Sequence, residues 1–225
     1  MISKQIDLKD MPIKRIVALG DSITWGMSAT AEENRWTNIA TAMLEDWQGQ
    51  KIELINSGIC GNILSPDSPA RPYAAAPCGL ERLQKDVIDY NPDMVFIAYG
   101  LNDSRGGTSP VIFRRDYQSM IAQIRSQISP VIVALNLFYM HEVFYKGCEG
   151  WSESDYEITE EFNLVIGQIC EKNGLILANV YAAQSGVDWA VCEDHCHPND
   201  LGHRLIANRV FEAVVRNCSL TGKKA

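Results

Sequence analysis

No apolar run in this 225-residue chain is long enough to cross a bilayer. The longest, Val131 to Leu135 continued after Asn136 by Leu137 to Met140, falls well short of the ~20 residues a spanning helix needs, so no membrane partner is expected. A secretory leader's apolar core is missing as well, because Met1 to Asp10 alternates polar with apolar residues and carries acids. A cytoplasmic location is the expectation. Basic clusters are also lacking: 20 Lys and Arg stand against 28 Asp and Glu, for a net charge of −8. Arg114-Arg115 is the only adjacent arginine pair, and Lys223-Lys224 reads as a frayed end. Such a chain repels phosphates, which argues against nucleic acid as a partner. The seven cysteines are odd in number and unframed, a usage that fits free thiols better than a disulfide scaffold. No internal repeat and no low-complexity segment interrupts the chain.

What is present is ordinary globular material, 46% hydrophobic and 21% charged, of a length expected to form one domain over 1–225. Its centre is Arg15-Ile16-Val17-Ala18-Leu19-Gly20-Asp21-Ser22-Ile23-Thr24-Trp25-Gly26. A short aliphatic run ending on Gly-Asp-Ser predicts a buried strand that breaks into a turn, with a serine at the strand's carboxyl end. Helical spacing follows over 32–47, then a second strand over 51–56 and the exit Ser57-Gly58-Ile59-Cys60-Gly61-Asn62. The proline-rich stretch 65–77 reads as a long irregular loop. A helix over 79–90 stops before Asn91-Pro92, and a buried strand over 93–99 exits at Gly100-Leu101-Asn102-Asp103. Beyond it the pattern predicts a helix over 110–128, a strand over 130–138 and an irregular aromatic stretch over 139–156. A helix over 157–173, a strand over 175–180 and a final helix after Pro198 complete the reading. Strands alternating with helices imply an α/β fold in which helices cover both faces of a parallel sheet.

Three exits hold residues with usable chemistry. Ser22 is a nucleophile or the cap of the following turn. Asp194 and His197, three apart before a helix, form either an oriented imidazole base or a satisfied helix start. Gly61 and Asn102 supply donors for an oxyanion or simply make turns. Each of Ser22, Gly61 and Asn102 follows a strand's carboxyl end, where open α/β sheets bind ligands. Asp21 reads as a capping or turn residue. Cys192, Asp194, His195, Cys196, His197 and His203 crowd one stretch and raise a zinc site as a rival, although their spacing matches no common zinc motif. Cys192 and Cys196 are also open to a disulfide or to plain packing. Aromatic residues in or beside the variable loops, Tyr73, Phe138, Tyr139, Phe144, Tyr145, Trp151 and Tyr156, suit either an acyl pocket or a sugar platform, or else anchor the loops.

Four blocks in order, Gly20-Asp21-Ser22, Ile55-Asn56 leading to Gly61, Gly100-Leu101-Asn102-Asp103 and Asp194-His195-Cys196-His197-Pro198, resemble those of the SGNH hydrolases, also called GDSL esterases and lipases. The resemblance implies a three-layer α/β/α fold with a five-stranded parallel sheet in the flavodoxin-like order 2-1-3-4-5. It implies Ser22 as nucleophile, His197 as base and Asp194 as its partner. The oxyanion would be held by the Ser22 and Gly61 N–H groups and the Asn102 side chain, Gly61 fitting the family's spacing better than Gly58. Neither a metal nor a cofactor is implied. The expected activity is hydrolysis of a small-molecule carboxylic ester, with a short acyl or acetyl group and an acylated carbohydrate among the substrates. A lipase, a lysophospholipase, a thioesterase and a silent binding module are the alternatives on the same fold.

Overall fold

The computed structural model describes residues 6–220 except 142, 145, 146, 148 and 185. The tail expectation for Lys223-Lys224 and the loop aromatic Tyr145 lie outside the described residues. Seven strands are described: β1 (Ile6–Asp7), β2 (Arg15–Gly20), β3 (Glu53–Gly58), β4 (Met94–Ala98), β5 (Val131–Leu135), β6 (Ile176–Ala178) and β7 (Cys218–Ser219). The helices are α1 (Ser22–Trp25), α2 (Trp36–Gln48), α3 (Leu83–Asp86), α4 (Leu101–Arg105), α5 (Pro110–Gln127), α6 (Tyr156–Asn173), α7 (Val180–Gln184) and α8 (Asp200–Asn217).

Five strands form one parallel sheet in the order β3-β2-β4-β5-β6, which is the expected 2-1-3-4-5 once the short β1 is set aside. Alternate residues of each strand face opposite ways. Ile16, Ala18, Phe96 and Val133 pack with Trp36 and Leu44 of α2 and Ile206 and Val210 of α8. Val17, Leu19, Ile97 and Ala134 meet Phe113 and Tyr117 of α5 and Phe162 of α6 on the other face. Burying each such large side chain contributes about 1.5–3 kcal/mol, so both faces need their helices. Among the described residues no helix is long and apolar enough to cross a membrane.

Several element boundaries differ from those the sequence suggests. The helix expected over 79–90 is only α3 followed by a 3-10 turn at Ile88–Tyr90, because the backbone leaves helical geometry at Arg82 (φ −95°, ψ 0°) and again at Val87 (φ −135°, ψ −58°). The helix expected from residue 32 begins as a 3-10 turn, Glu32–Asn34, and restarts at Trp36 after an extended Arg35. Strand β3 runs two residues later than the apolar alternation indicates, since Ser57 and Gly58 pair with Leu19 and Gly20. Strand β5 stops at Leu135, where Asn136 turns its amide to the Asn179 side chain. β1 and β7 form a separate two-stranded ribbon that local pattern does not reveal.

Candidate active site

The registers Gly20↔Gly58 and Gly20↔Ala98 bring the exits of β3 and β4 to either side of the exit of β2. At that exit Asp21 takes the capping position of α1, its Oδ1 accepting from Ile23 N–H at 2.9 Å. Ser22 is therefore not the cap and its hydroxyl is free for another partner. It meets His197 Nε2 at 2.9 Å, 175 residues along the chain.

His197 is held from behind. The turn from Asp194 passes through a left-handed His195, φ 60°, and Asp194 Oδ1 accepts from the Cys196 and His197 N–H groups at 3.0 and 2.9 Å. This Asx-type turn leaves Oδ2 facing His197 Nδ1 at 2.5 Å. Partial burial acts to raise the Asp194 carboxyl, but the bonds from the His197 ring and the two backbone N–H groups outweigh it and hold the group below its ordinary value. The helix start does not use either residue. Asn199 caps α8 by accepting from Leu201 and Gly202 N–H at 3.0 and 3.1 Å.

The two glycines of the second block differ in their surroundings. Gly58 lies inside β3, with its N–H donated to Asn56 Oδ1 at 2.9 Å, and a Cβ there would come within 2.1 Å of Trp25 N. Gly61 lies in the turn beyond, with φ 68°, and the space a Cβ would take is open. Asn102, on the first turn of α4, donates one Nδ2–H to the Asn62 carbonyl at 3.0 Å, which leaves the second N–H of its amide. Ser22 and Asn102 are largely buried, whereas the Asp194 side chain behind His197 is exposed.

Two further carboxyls lie beneath. Burial raises Asp21 to about 6 against the Ile23 N–H and the nearby His197 ring. Asp103 is raised to about 7 by burial, against the N–H groups of Leu64 and Ser65 that its oxygens accept. Asp103 thereby anchors the start of the 65–77 loop to α4. Arg105, at the end of α4, lies under the 139–156 loop with the Phe144 ring 4.1 Å and the Trp151 ring 5.9 Å from its guanidinium carbon.

The remaining residues of the crowded 192–203 stretch diverge. His203 is buried and hydrogen-bonds to the Met27 carbonyl at 3.0 Å, the His195 ring meets that of His141 at a tilt of 43°, and Cys196 packs in the core. Among the described residues no three His, Cys, Asp or Glu side chains converge on a point that suits a metal ion. Cys192 and Cys196 are both free thiols, not a disulfide. Among the loop aromatics, Phe138 is core and Tyr139 donates to Asp188, while Tyr73 and Tyr156 are exposed. Arg82 and Tyr99, which meet behind the site, carry no signal in the sequence, because their partners lie far away along the chain.

Residues 18–205 match the sequence model of the GDSL-like lipase/acylhydrolase family. A curated relative, an arylesterase of Vibrio mimicus, is 27% identical over 120 residues, and the chain spans about half the length of that relative, 53%. Among solved structures, a lipase/acylhydrolase from Enterococcus faecalis superimposes with a TM-score of 0.70 at 21% identity, covering 90% of this chain and 95% of that one. The acetylxylan esterase Axe2 from Geobacillus stearothermophilus gives 0.67 at 20% identity, covering 90% and 94%.

Proposed function

Because the chain belongs to the GDSL-like lipase/acylhydrolase family, we propose that it hydrolyses carboxylic esters through an acyl-enzyme formed on Ser22. The observation that carries this reading is the continuous line of hydrogen bonds from Ser22 Oγ through His197 to Asp194, at 2.9 and 2.5 Å. Ser22 attacks the ester carbonyl as His197 Nε2 takes its proton. Asp194 holds the Nδ1–H and stabilises the imidazolium. The tetrahedral oxyanion rests on the Ser22 N–H, the Gly61 N–H and the remaining Asn102 N–H. His197 returns the proton to the leaving alcohol, and water, activated by the same imidazole, releases the acid from Ser22. These steps call on no metal or cofactor.

A short acyl group is the preferred substrate of this reading. Beside the nucleophile turn Asp21, Tyr99, Leu101, Asn136 and Phe138 are all buried and close against one another, which leaves no cavity for a long acyl chain on that side. The arylesterase relative also supports a small ester. p-Nitrophenyl esters of increasing chain length, given to wild type and Ser22→Ala, test both points. Turnover that needs Ser22 and is highest for acetate is expected. Turnover confined to long chains favours the lipase alternative, and activity that survives Ser22→Ala removes the acyl-enzyme.

An acylated carbohydrate is the second reading, supported by a groove of about 320 Å³ between the 65–77 and 139–156 loops. Tyr73, half exposed and bonded through its hydroxyl to Glu149, forms one wall, and Gly106, Gly107 and Glu153 form the other. An aromatic face beside carboxylates suits sugar hydroxyls and the apolar face of a sugar ring. Tyr73→Ala should lower kcat/KM for an acetylated disaccharide relative to p-nitrophenyl acetate. An unchanged ratio contradicts this reading.

A further inference from the structure

Arg82 is 3% exposed, and its guanidinium reaches every one of the three strand exits that carry the site. Nη2 donates to the Gly20 carbonyl at 2.9 Å, two residues before Ser22, and to the Tyr99 hydroxyl at 2.6 Å, three residues before Asn102. Nε donates to Asn62 Oδ1 at 3.2 Å, one residue after Gly61. Nη1 is paired with Asp86 at 2.7 Å, which balances the buried charge. The Tyr99 hydroxyl in turn donates to the same Asn62 Oδ1 at 2.6 Å. Asn62 in turn donates to the Ala75 and Pro77 carbonyls at 2.8 and 2.9 Å, and its backbone carbonyl accepts from the Asn102 amide at 3.0 Å.

This arrangement does more than fill space. Buried arginines are expensive unless their donors are satisfied, and an apolar side chain of similar volume would fill the same space without the desolvation cost. The planar fork of a guanidinium fixes several acceptors in one plane, which a lysine cannot do. Here the acceptors belong to the exits of β2, β3 and β4, whose mutual spacing decides whether three separate N–H groups can converge on one oxygen. We propose that Arg82 is a positioning residue, which sets the oxyanion donors through Tyr99 and Asn62 rather than by touching substrate. The proposal rests on the ester-hydrolase reading. The Asn62 carbonyl selects which Asn102 N–H is left over, and Arg82 and Tyr99 determine where that carbonyl sits.

Tyr99→Phe is the mildest test, since it keeps the buried ring and the direct Arg82–Asn62 bond and removes only the hydroxyl that accepts from Arg82 and donates to Asn62. With p-nitrophenyl acetate, kcat should fall about tenfold while KM stays within about twofold, because donors misplaced by a fraction of an ångström lose transition-state stabilisation more than ground-state binding. The same change made in an Asn102→Ala enzyme should cost less than about twofold, since the donor it positions is already gone. Arg82→Lys, which keeps the charge beside Asp86 and loses the fork, should lower kcat in the same manner. A Tyr99→Phe enzyme with wild-type kcat overturns the proposal, as does a tenfold loss that persists in full without Asn102. Failure of the underlying reading looks different: turnover would then survive Ser22→Ala, whatever the behaviour of Tyr99→Phe.

Discussion

Asp21 does the capping at the β2 exit and so leaves the Ser22 hydroxyl to His197; Asn199 does the same at α8 and so leaves Asp194 to the imidazole. At both turns a neighbour satisfies the orphan backbone donors. If Asn102 donates to the oxyanion, Asn102→Ala should cost about 3 kcal/mol of transition-state stabilisation, roughly a hundredfold in kcat with little change in KM. Steady-state kinetics on p-nitrophenyl acetate check this, and a loss confined to KM contradicts it. That Ser22, Asp194 and His197 belong together was legible from four blocks in order and the family they resemble, not from any one turn, and the fold does bring the three within hydrogen-bond reach. Arg82 and Tyr99 were not legible, since their bonds reach 62 positions to Gly20 and 37 to Asn62.

At the scale of elements, α1 and β3 are locked together by the absence of a side chain at Gly58. Its Cα lies against the backbone of Trp25, and Asn56 adds a bond from Nδ2 to the Thr24 carbonyl at 2.8 Å. Gly58→Ala would place a Cβ 2.1 Å from Trp25 N, a backbone atom that cannot swing aside. The helix carrying Ser22 must then shift, at a cost of about 1–3 kcal/mol in stability and with a fall in kcat. Thermal unfolding together with kinetics tests this, and a wild-type Tm contradicts it. Gly61→Ala meets open space, so its penalty comes from the left-handed φ alone, about 1 kcal/mol. The cores of β2, β4 and β5 were legible because their runs are unbroken and buried on both faces. The end of β3 was not, since Ser57 and Gly58 are held by pairing with β2 rather than by apolar pattern. Likewise the 79–90 helix is broken at Arg82 and Val87, and Arg82 is tied by its side chain to distant strand exits that the local pattern does not show.

For the whole molecule, the parallel sheet gathers its functional exits along one edge and confines ionisable groups beneath them, which makes stability depend on pH. Asp103, raised to about 7, and Asp21, raised to about 6, keep their protons in the folded chain at pH values where the unfolded chain, at 3.8, has lost them. Their contribution is full below about pH 4 and is lost as pH rises through 6 and 7. His203 acts in the opposite sense. Burial holds it below 6.5, so the unfolded chain gains a proton first as pH falls through that value and stability declines toward acid. Asp103→Asn removes one ionisation without changing shape. Its stability relative to wild type should improve as pH rises from about 5 to about 8 in urea unfolding. Curves that stay parallel across that range contradict the assignment. The sheet order was legible through family resemblance, whereas the β1–β7 ribbon joins chain ends that no local pattern connects.

The central claim is that Ser22 carries the acyl group, and it is tested most directly by acid-quenching the enzyme during turnover of p-nitrophenyl acetate and mapping the modified peptide by mass spectrometry. One acetyl group on Ser22, absent from Ser22→Ala, is the expected result. Sustained turnover with Ser22 unmodified, or with the acetyl group reproducibly on another residue, would contradict it.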